Sequence, residues 1–174
     1  MSRPGEQGST DTFLERLQAD WGRVLPELDS QPMLLPILVA RLHQALSRRV
    51  EDTYRASGLN AANWDLLVTL RRSAPPEGLT LSELAGLTAV AGPTMTNRVD
   101  RLQQKGLVER LADPQDGRSW RIRLTAHAEA LLDRLLPAHV HNEARLLSGL
   151  SAAERAQFER LIRRLLRDLE VPPG

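Results

Sequence analysis

LTLSELAGLTAVAGPTMTNRVDRLQQKGLVERLADPQDGRSWRIRL, residues 79 to 124, is the stretch whose pattern decides the fold. Thr80 with Glu83 three residues later forms a capping box, and Leu79 with Leu84 supplies a hydrophobic staple, so a helix starts here. It ends near Leu87, residues 88–92 turn, and Pro93 suits the first position of a second helix. In that helix Met95, Val99 and Leu102 share the inward face. At about 100° per residue, Thr94, Asn97 and Arg101 point the other way, with Arg98 at the margin. Gly106 ends it. A helix, a tight turn and a second helix with polar and basic side chains outward make a helix-turn-helix. Leu107 to Leu111 then reads as a strand, and Trp120, Ile122 and Leu124 alternate with Arg121 and Arg123 in another. The intervening residues 112–118 are rich in turn formers. A hairpin directly after a helix-turn-helix is a wing, with Arg118 at its tip beside Arg121 and Arg123 on the outward strand face.

Helices flank this unit on both sides. Residues 1–10 read as a disordered tail. Thr12 and Glu15 offer a capping box for a helix carrying Leu14, Leu17, Trp21 and Leu25, which Pro26 stops. A longer helix from about Leu34 to Tyr54 carries the stripe Leu35, Val39, Leu42, Leu46 and Val50, with Gly58 as its stop. Asn60 caps the next, stapled by Leu59 and Trp64 and running to about Arg72 before Pro75, Pro76 and Gly78. Thr125 caps a long helix to about Leu147, which Pro137 should bend. Ser151 and Glu154 start the last, whose stripe is Phe158, Leu161, Ile162, Leu165 and Leu169. The outer helices carry more apolar surface than a small wing domain needs, which predicts a dimerisation module. The expected fold is mostly α with a small β-hairpin wing. Its parts are an extra N-terminal helix and a dimerisation helix at 11–58, the winged helix-turn-helix at 59–125, and C-terminal dimerisation helices at 126–170.

Composition removes several classes of function. Lys plus Arg is 23 and Asp plus Glu 22 in 174 residues, a net charge of +1, so any anion-binding surface must come from local sorting of charge. Without cysteine there is no disulfide, thiolate or zinc-finger chemistry. The polar N-terminus has no apolar signal core and no stretch approaches a membrane span, so a cytoplasmic protein with no membrane partner is expected. No glycine-rich phosphate loop, HExxH motif or nucleophile elbow appears, and neither an enzyme nor a bound cofactor or metal is expected. His139 and His141, two residues apart, do not share a helix face and make a poor metal clip.

Sorting does occur. Residues 93–123 hold seven basic residues against four acidic ones, the surplus that neutralising DNA phosphates requires. Asn97 and Arg101 suit base edges in the major groove, Thr94 a phosphate or methyl contact, and Arg98 and Arg121 lie in the same basic set. Arg118 at the wing tip suits a narrow minor groove. Asp113 and Asp116 would repel phosphate, so their expected work is to cap the loop or hold Arg118 and Arg121 in position. Asp65, beside Trp64 in an otherwise apolar helix, and Arg98 and Arg110 leave two readings open. One is a packing salt bridge with little net effect; the other is a polar pocket behind the recognition helix, where an anion could pull Arg98. His43, next to the stripe residue Leu42, is either a core or interface histidine or a pH-sensitive contact.

Thr80 to Thr125, and above all Asp113-Pro-Gln-Asp116-Gly-Arg118 followed by Leu124-Thr125, resembles the MarR family of winged-helix transcriptional regulators, and the flanking helices extend the likeness over residues 34–169. The resemblance implies a homodimer that binds double-stranded, pseudo-palindromic operator DNA, usually as a repressor. The N-terminal helix with Trp21, the run from Tyr54 to Leu67, residues 72–79 and Gly92-Pro93 through Asn97-Arg98 look most like the urate-responsive branch of that family. By that resemblance the ligand residues are Trp21, Asp65, Arg98 and Arg110, and the effector is urate or a related purine. It also implies that His43 packs near its symmetry mate, where acid pH would make two imidazolium ions repel. A phenolic or other small aromatic effector, and a winged-helix scaffold that binds proteins instead of DNA, remain as alternatives.

Overall fold

Helix starts are set by side-chain caps. Asn60 Oδ1 accepts the Asn63 N–H at 2.9 Å and opens α3, Ala61–Ser73. Thr80 Oγ1 accepts from the Glu83 N–H while Glu83 Oε2 accepts from the Thr80 N–H at 2.7 Å, and this reciprocal box opens α4, Leu81–Leu87. Thr125 Oγ1 accepts from the Ala128 N–H at the start of α6, Ala126–Leu146. Ser151 and Glu154 repeat the box at α7, Ala152–Glu170. The computed structural model describes residues 7–88, 94–114, 116 and 119–170. Within them the remaining elements are α1, Gln7–Val24; α2, Gln31–Glu51; a 3-10 turn, Arg55–Ser57; β1, Leu79–Thr80; α5, Met95–Gln104; β2, Val108–Ala112; and β3, Trp120–Leu124. The chain divides into two units, residues 1–47 and 48–174.

In the first unit α1 begins at Gln7, so residues 7–10 are helical and the expected Thr12–Glu15 cap lies inside the helix. No proline interrupts the sequence between Pro4 and Pro26, and a nucleated helix propagates through such a stretch. α2 likewise begins at Gln31, three residues before the expected start, because Asp29 Oδ1 accepts the Gln31 N–H at 3.0 Å and Pro32 falls in the tolerant first turn. It stops at Glu51 instead of reaching Tyr54, and Gly58, at φ 69°, closes the 3-10 turn that follows.

In the second unit the hydrophobic core joins α3 (Leu66, Leu67, Leu70), α4 (Leu84), α5 (Val99, Leu102), the sheet (Val108, Ile122) and α6 (Leu132), all buried. The sheet is three-stranded and antiparallel in the order β1-β3-β2. β1 carries no signal in the sequence, since two residues have no periodicity. Leu79 pairs with Ile122 across it, and this close approach needs a glycine before it: a Cβ on Gly78, at φ 87°, would sit 2.5 Å from the Ile122 carbonyl oxygen. β2 begins at Val108, one residue later than expected, with Arg110 opposite Ile122 and Leu111 opposite Arg121. α6 runs unbroken through Pro137. Pro93 and most of the turn before α5 lie outside the described residues.

Candidate nucleic-acid and effector interface

α5 sorts its residues as the sequence predicts, with one correction. Val99 and Leu102 are buried, and Asn97 and Arg101 are exposed, as is Thr94, the N-cap residue, whose side chain makes no cap bond. Arg98 is not marginal and does not join the outward set: only 5 % of it is exposed, in line with Val99 and Leu102. The helix therefore shows a polar face outward and carries one guanidinium inward. Arg121 is the second correction. It shares the strand face with Arg123, but its side chain is 15 % exposed because Asp113, itself buried, lies 3.0 Å from its Nε. Arg121 also donates to the Gly78 carbonyl at 3.1 Å. β1 supplies the cover that a two-stranded hairpin would lack. Arg123 is taken by Glu109 at 2.7 Å. Neither arginine is held out towards a partner. Trp120, by contrast, is 54 % exposed at the outer end of β3.

Arg118 lies outside the described residues. The loop it belongs to is closed by the Asp113 N–H donating to the Ser119 carbonyl at 3.0 Å and the Ser119 N–H donating to the Asp116 carbonyl at 2.9 Å. Asp113 thus fixes Arg121 with its side chain and the loop with its backbone, while Asp116 contributes a backbone acceptor.

Of the four residues suggested for a ligand, three fall in the second unit. Asp65 is half-buried on α3 between buried Trp64 and Leu66, and α3 packs on α5, which carries Arg98. Arg110 on β2 turns back to α5, where its guanidinium meets Asp100 Oδ1 at 2.6 Å and Gln103 Oε1 at 2.7 Å. Trp21 lies on α1 in the first unit, on a face with Phe13, Leu17 and Val24. His43 is exposed on α2, as are Leu35, Val39 and Leu42.

Sequence reasoning missed two features. Asp100 and Gln103 as partners of Arg110 were legible from the tight Gly106 turn, which folds β2 back along α5. The other is an aromatic stack: Tyr54 lies on Trp64 at 4.9 Å between centroids, and buried His139 sits 4.7 Å from Trp64. His139 Nδ1 lies 2.9 Å from Thr53 Oγ1 and its Nε2 3.3 Å from Glu143. Burial, followed by the nearby Glu51 charge, pushes the Tyr54 phenol above its ordinary value of 10.0. Among the described residues no cluster of three or more histidine or acidic side chains is placed to hold a metal ion, and no helix is long and apolar enough to cross a membrane.

Comparison with known proteins gives the arrangement its context. The sequence profile of the MarR family matches residues 57–119. The HTH-type transcriptional regulator PecS of Dickeya dadantii is 32 % identical over 149 residues, spanning 86 % of this chain and 90 % of that protein. A MarR variant from E. coli complexed with operator DNA superposes with a TM-score of 0.68 at 25 % identity, over 84 % of this chain and 97 % of the other. BpsR of Bordetella bronchiseptica, whose DNA binding is regulated by 6-hydroxynicotinic acid, gives a TM-score of 0.67 at 26 % identity, over 80 % and 96 %.

Proposed function

Because the chain belongs to the MarR family of DNA-binding transcriptional regulators, and so is no enzyme, we propose that it works as a homodimeric repressor whose grip on a pseudo-palindromic operator is weakened by urate or a related purine anion. The carrying observation is the two-sidedness of α5: Asn97 and Arg101 are exposed on one side, and Arg98 is buried on the other. In this reading Thr94, Asn97 and Arg101 enter the major groove, and Arg118 reaches the minor groove from the wing. Asp113 holds the hairpin in register beneath it.

Arg98 and Arg110 supply the positive charge for an anionic effector and Asp65 accepts a ring N–H; Trp21 is assigned as a ligand residue by resemblance alone. Drawing Arg98 towards an anion moves the helix that carries Asn97 and Arg101. Two recognition helices in a dimer must lie about 34–36 Å apart, one turn of DNA, so a small displacement suffices to weaken binding. By linkage, such an effector binds the free protein more tightly than the DNA-bound form. The exposed apolar faces of α2 and α7 support the homodimer, and in this reading exposed His43 on α2 packs near its symmetry mate.

BpsR favours a second reading, in which the effector is a small heteroaromatic acid or a phenolic compound instead of a purine. Fluorescence anisotropy separates the two. The protein is titrated against its own upstream DNA and a scrambled duplex, at two salt concentrations, with urate or 6-hydroxynicotinic acid. Selective binding weakened by urate is the expected result. Selective binding weakened only by the nicotinic acid replaces the effector, and salt-insensitive binding without sequence preference overturns the operator reading in favour of a protein-binding scaffold.

A further inference from the structure

The link between Arg110 and α5 has the geometry of an anion site already filled from within. Arg110 offers the edge of its guanidinium to two acceptors one helical turn apart, Asp100 Oδ1 at 2.6 Å and Gln103 Oε1 at 2.7 Å. Its side chain is only 25 % exposed, and a guanidinium in such a place is a strong, oriented anion donor. The connection behind it is short and tied: the Gly106 N–H donates to the Gln103 carbonyl, and the Leu107 N–H to the Leu102 carbonyl, both at 2.9 Å. Arg110 therefore fastens the C-terminal half of α5 to β2. Asp100 also sits on the helix that bears Asn97 and Arg101, where a bare carboxylate would oppose DNA phosphates.

We propose that Asp100, assisted by Gln103, is the internal competitor of the anionic effector at Arg110, and that its release is what turns effector binding into loss of DNA binding. The inference rests on the reading of Arg110 as an effector residue. With no effector bound, Arg110 neutralises Asp100 and holds α5 in place. An anion that takes Arg110 must expel the Asp100 carboxylate, which loosens the helix and leaves a negative charge on the DNA-binding element. Both consequences oppose the operator.

The test uses the full-length wild type, Asp100→Asn, Arg110→Gln and the double variant. Urate affinity is read by tryptophan fluorescence, operator affinity by anisotropy with and without urate, and α5 mobility by amide hydrogen exchange. With its competitor weakened, Asp100→Asn is expected to bind urate about fivefold more tightly, the order set by one partly exposed ion pair. The factor by which saturating urate weakens operator binding should shrink, because the released side chain carries no charge. A merely structural role would leave that factor unchanged. Without urate, Arg110→Gln should speed exchange in α5, and the double variant should be no worse than Arg110→Gln alone. Unchanged urate affinity in Asp100→Asn beside a urate-binding wild type overturns the proposal. If urate binds neither protein, the effector assignment is what fails, and the variant cycle decides the clamp: additive effects on α5 exchange overturn it, and non-additive effects sustain it.

Discussion

Asp113 and Arg121 face each other across the base of the wing, with Asp113 Oδ2 3.0 Å from Arg121 Nε and only 6 % and 15 % of the two side chains exposed. The pair joins the end of β2 to β3, and Arg121 extends it to the Gly78 carbonyl ahead of β1. All three strands of the sheet thus meet at one guanidinium. A buried pair is costly to break from one side because the remaining charge stays desolvated. Asp113→Ala is therefore expected to destabilise the protein by on the order of 3 kcal/mol, and Asp113→Ala with Arg121→Met to recover much of it. Urea denaturation of the three proteins checks this; a double variant no more stable than Asp113→Ala would show that the loss lies in the loop backbone.

Exposed Asn97 and Arg101 differ from Thr94 in what they should read. Replacing Asn97 with Ala is expected to cost about 1–3 kcal/mol on the preferred operator and to relax the base preference at one position of each half-site. Thr94→Ala should weaken all duplexes alike, without altering preference. Binding to a set of singly substituted operators separates the two, and a uniform loss for Asn97→Ala would move that residue to the phosphates.

What could be read from the sequence was what depends on near neighbours. Asn60, Thr80, Thr125 and Ser151 each sit three residues from the group they cap, and all four helix starts are where local chemistry puts them. The face of α5 followed from periodicity alone. Contacts made by chain reversal were harder to see. Arg121 looks free in a hairpin, and only the pairing of β1 with β3, some forty residues apart, brings the Gly78 carbonyl to it. Arg98 reads as marginal in the sequence because its helical angle lies between the two faces. Burial of its neighbours Val99 and Leu102 takes it inward. Thr12 shows the opposite failure, a good capping motif overridden because the helix continues past it to Gln7.

The capping box at α4 carries a pH dependence. The backbone N–H of Thr80, then its hydroxyl, stabilise the Glu83 carboxylate and hold it below its ordinary value of 4.5. A group depressed in the folded state contributes stability above its unfolded value and loses it as pH falls through the folded one. Stability should thus decline as pH drops below 4.5. Glu83→Gln removes the titrating carboxylate and should flatten that part of the acid limb. Urea midpoints between pH 7 and pH 3 test it, and parallel acid limbs for the two proteins would assign the decline to other carboxylates.

α7 supplies the last expectation. Phe158, Leu161, Ile162, Leu165, Leu166 and Leu169 are all exposed on one nineteen-residue helix, while the wing lobe has a complete core of its own. An apolar stripe of that length in water marks an association surface. Substituting Leu165 with Glu places a charge in the middle of it and removes nothing from the lobe's core. The variant should therefore keep its helical circular dichroism and thermal transition of the lobe, sediment as a monomer, and bind a full operator with the affinity of a single half-site. Sedimentation velocity beside operator titration distinguishes this from simple unfolding. A Leu165→Glu protein that stays dimeric and binds normally would place the dimer contact elsewhere, with the exposed stripe of α2 as the next surface to charge.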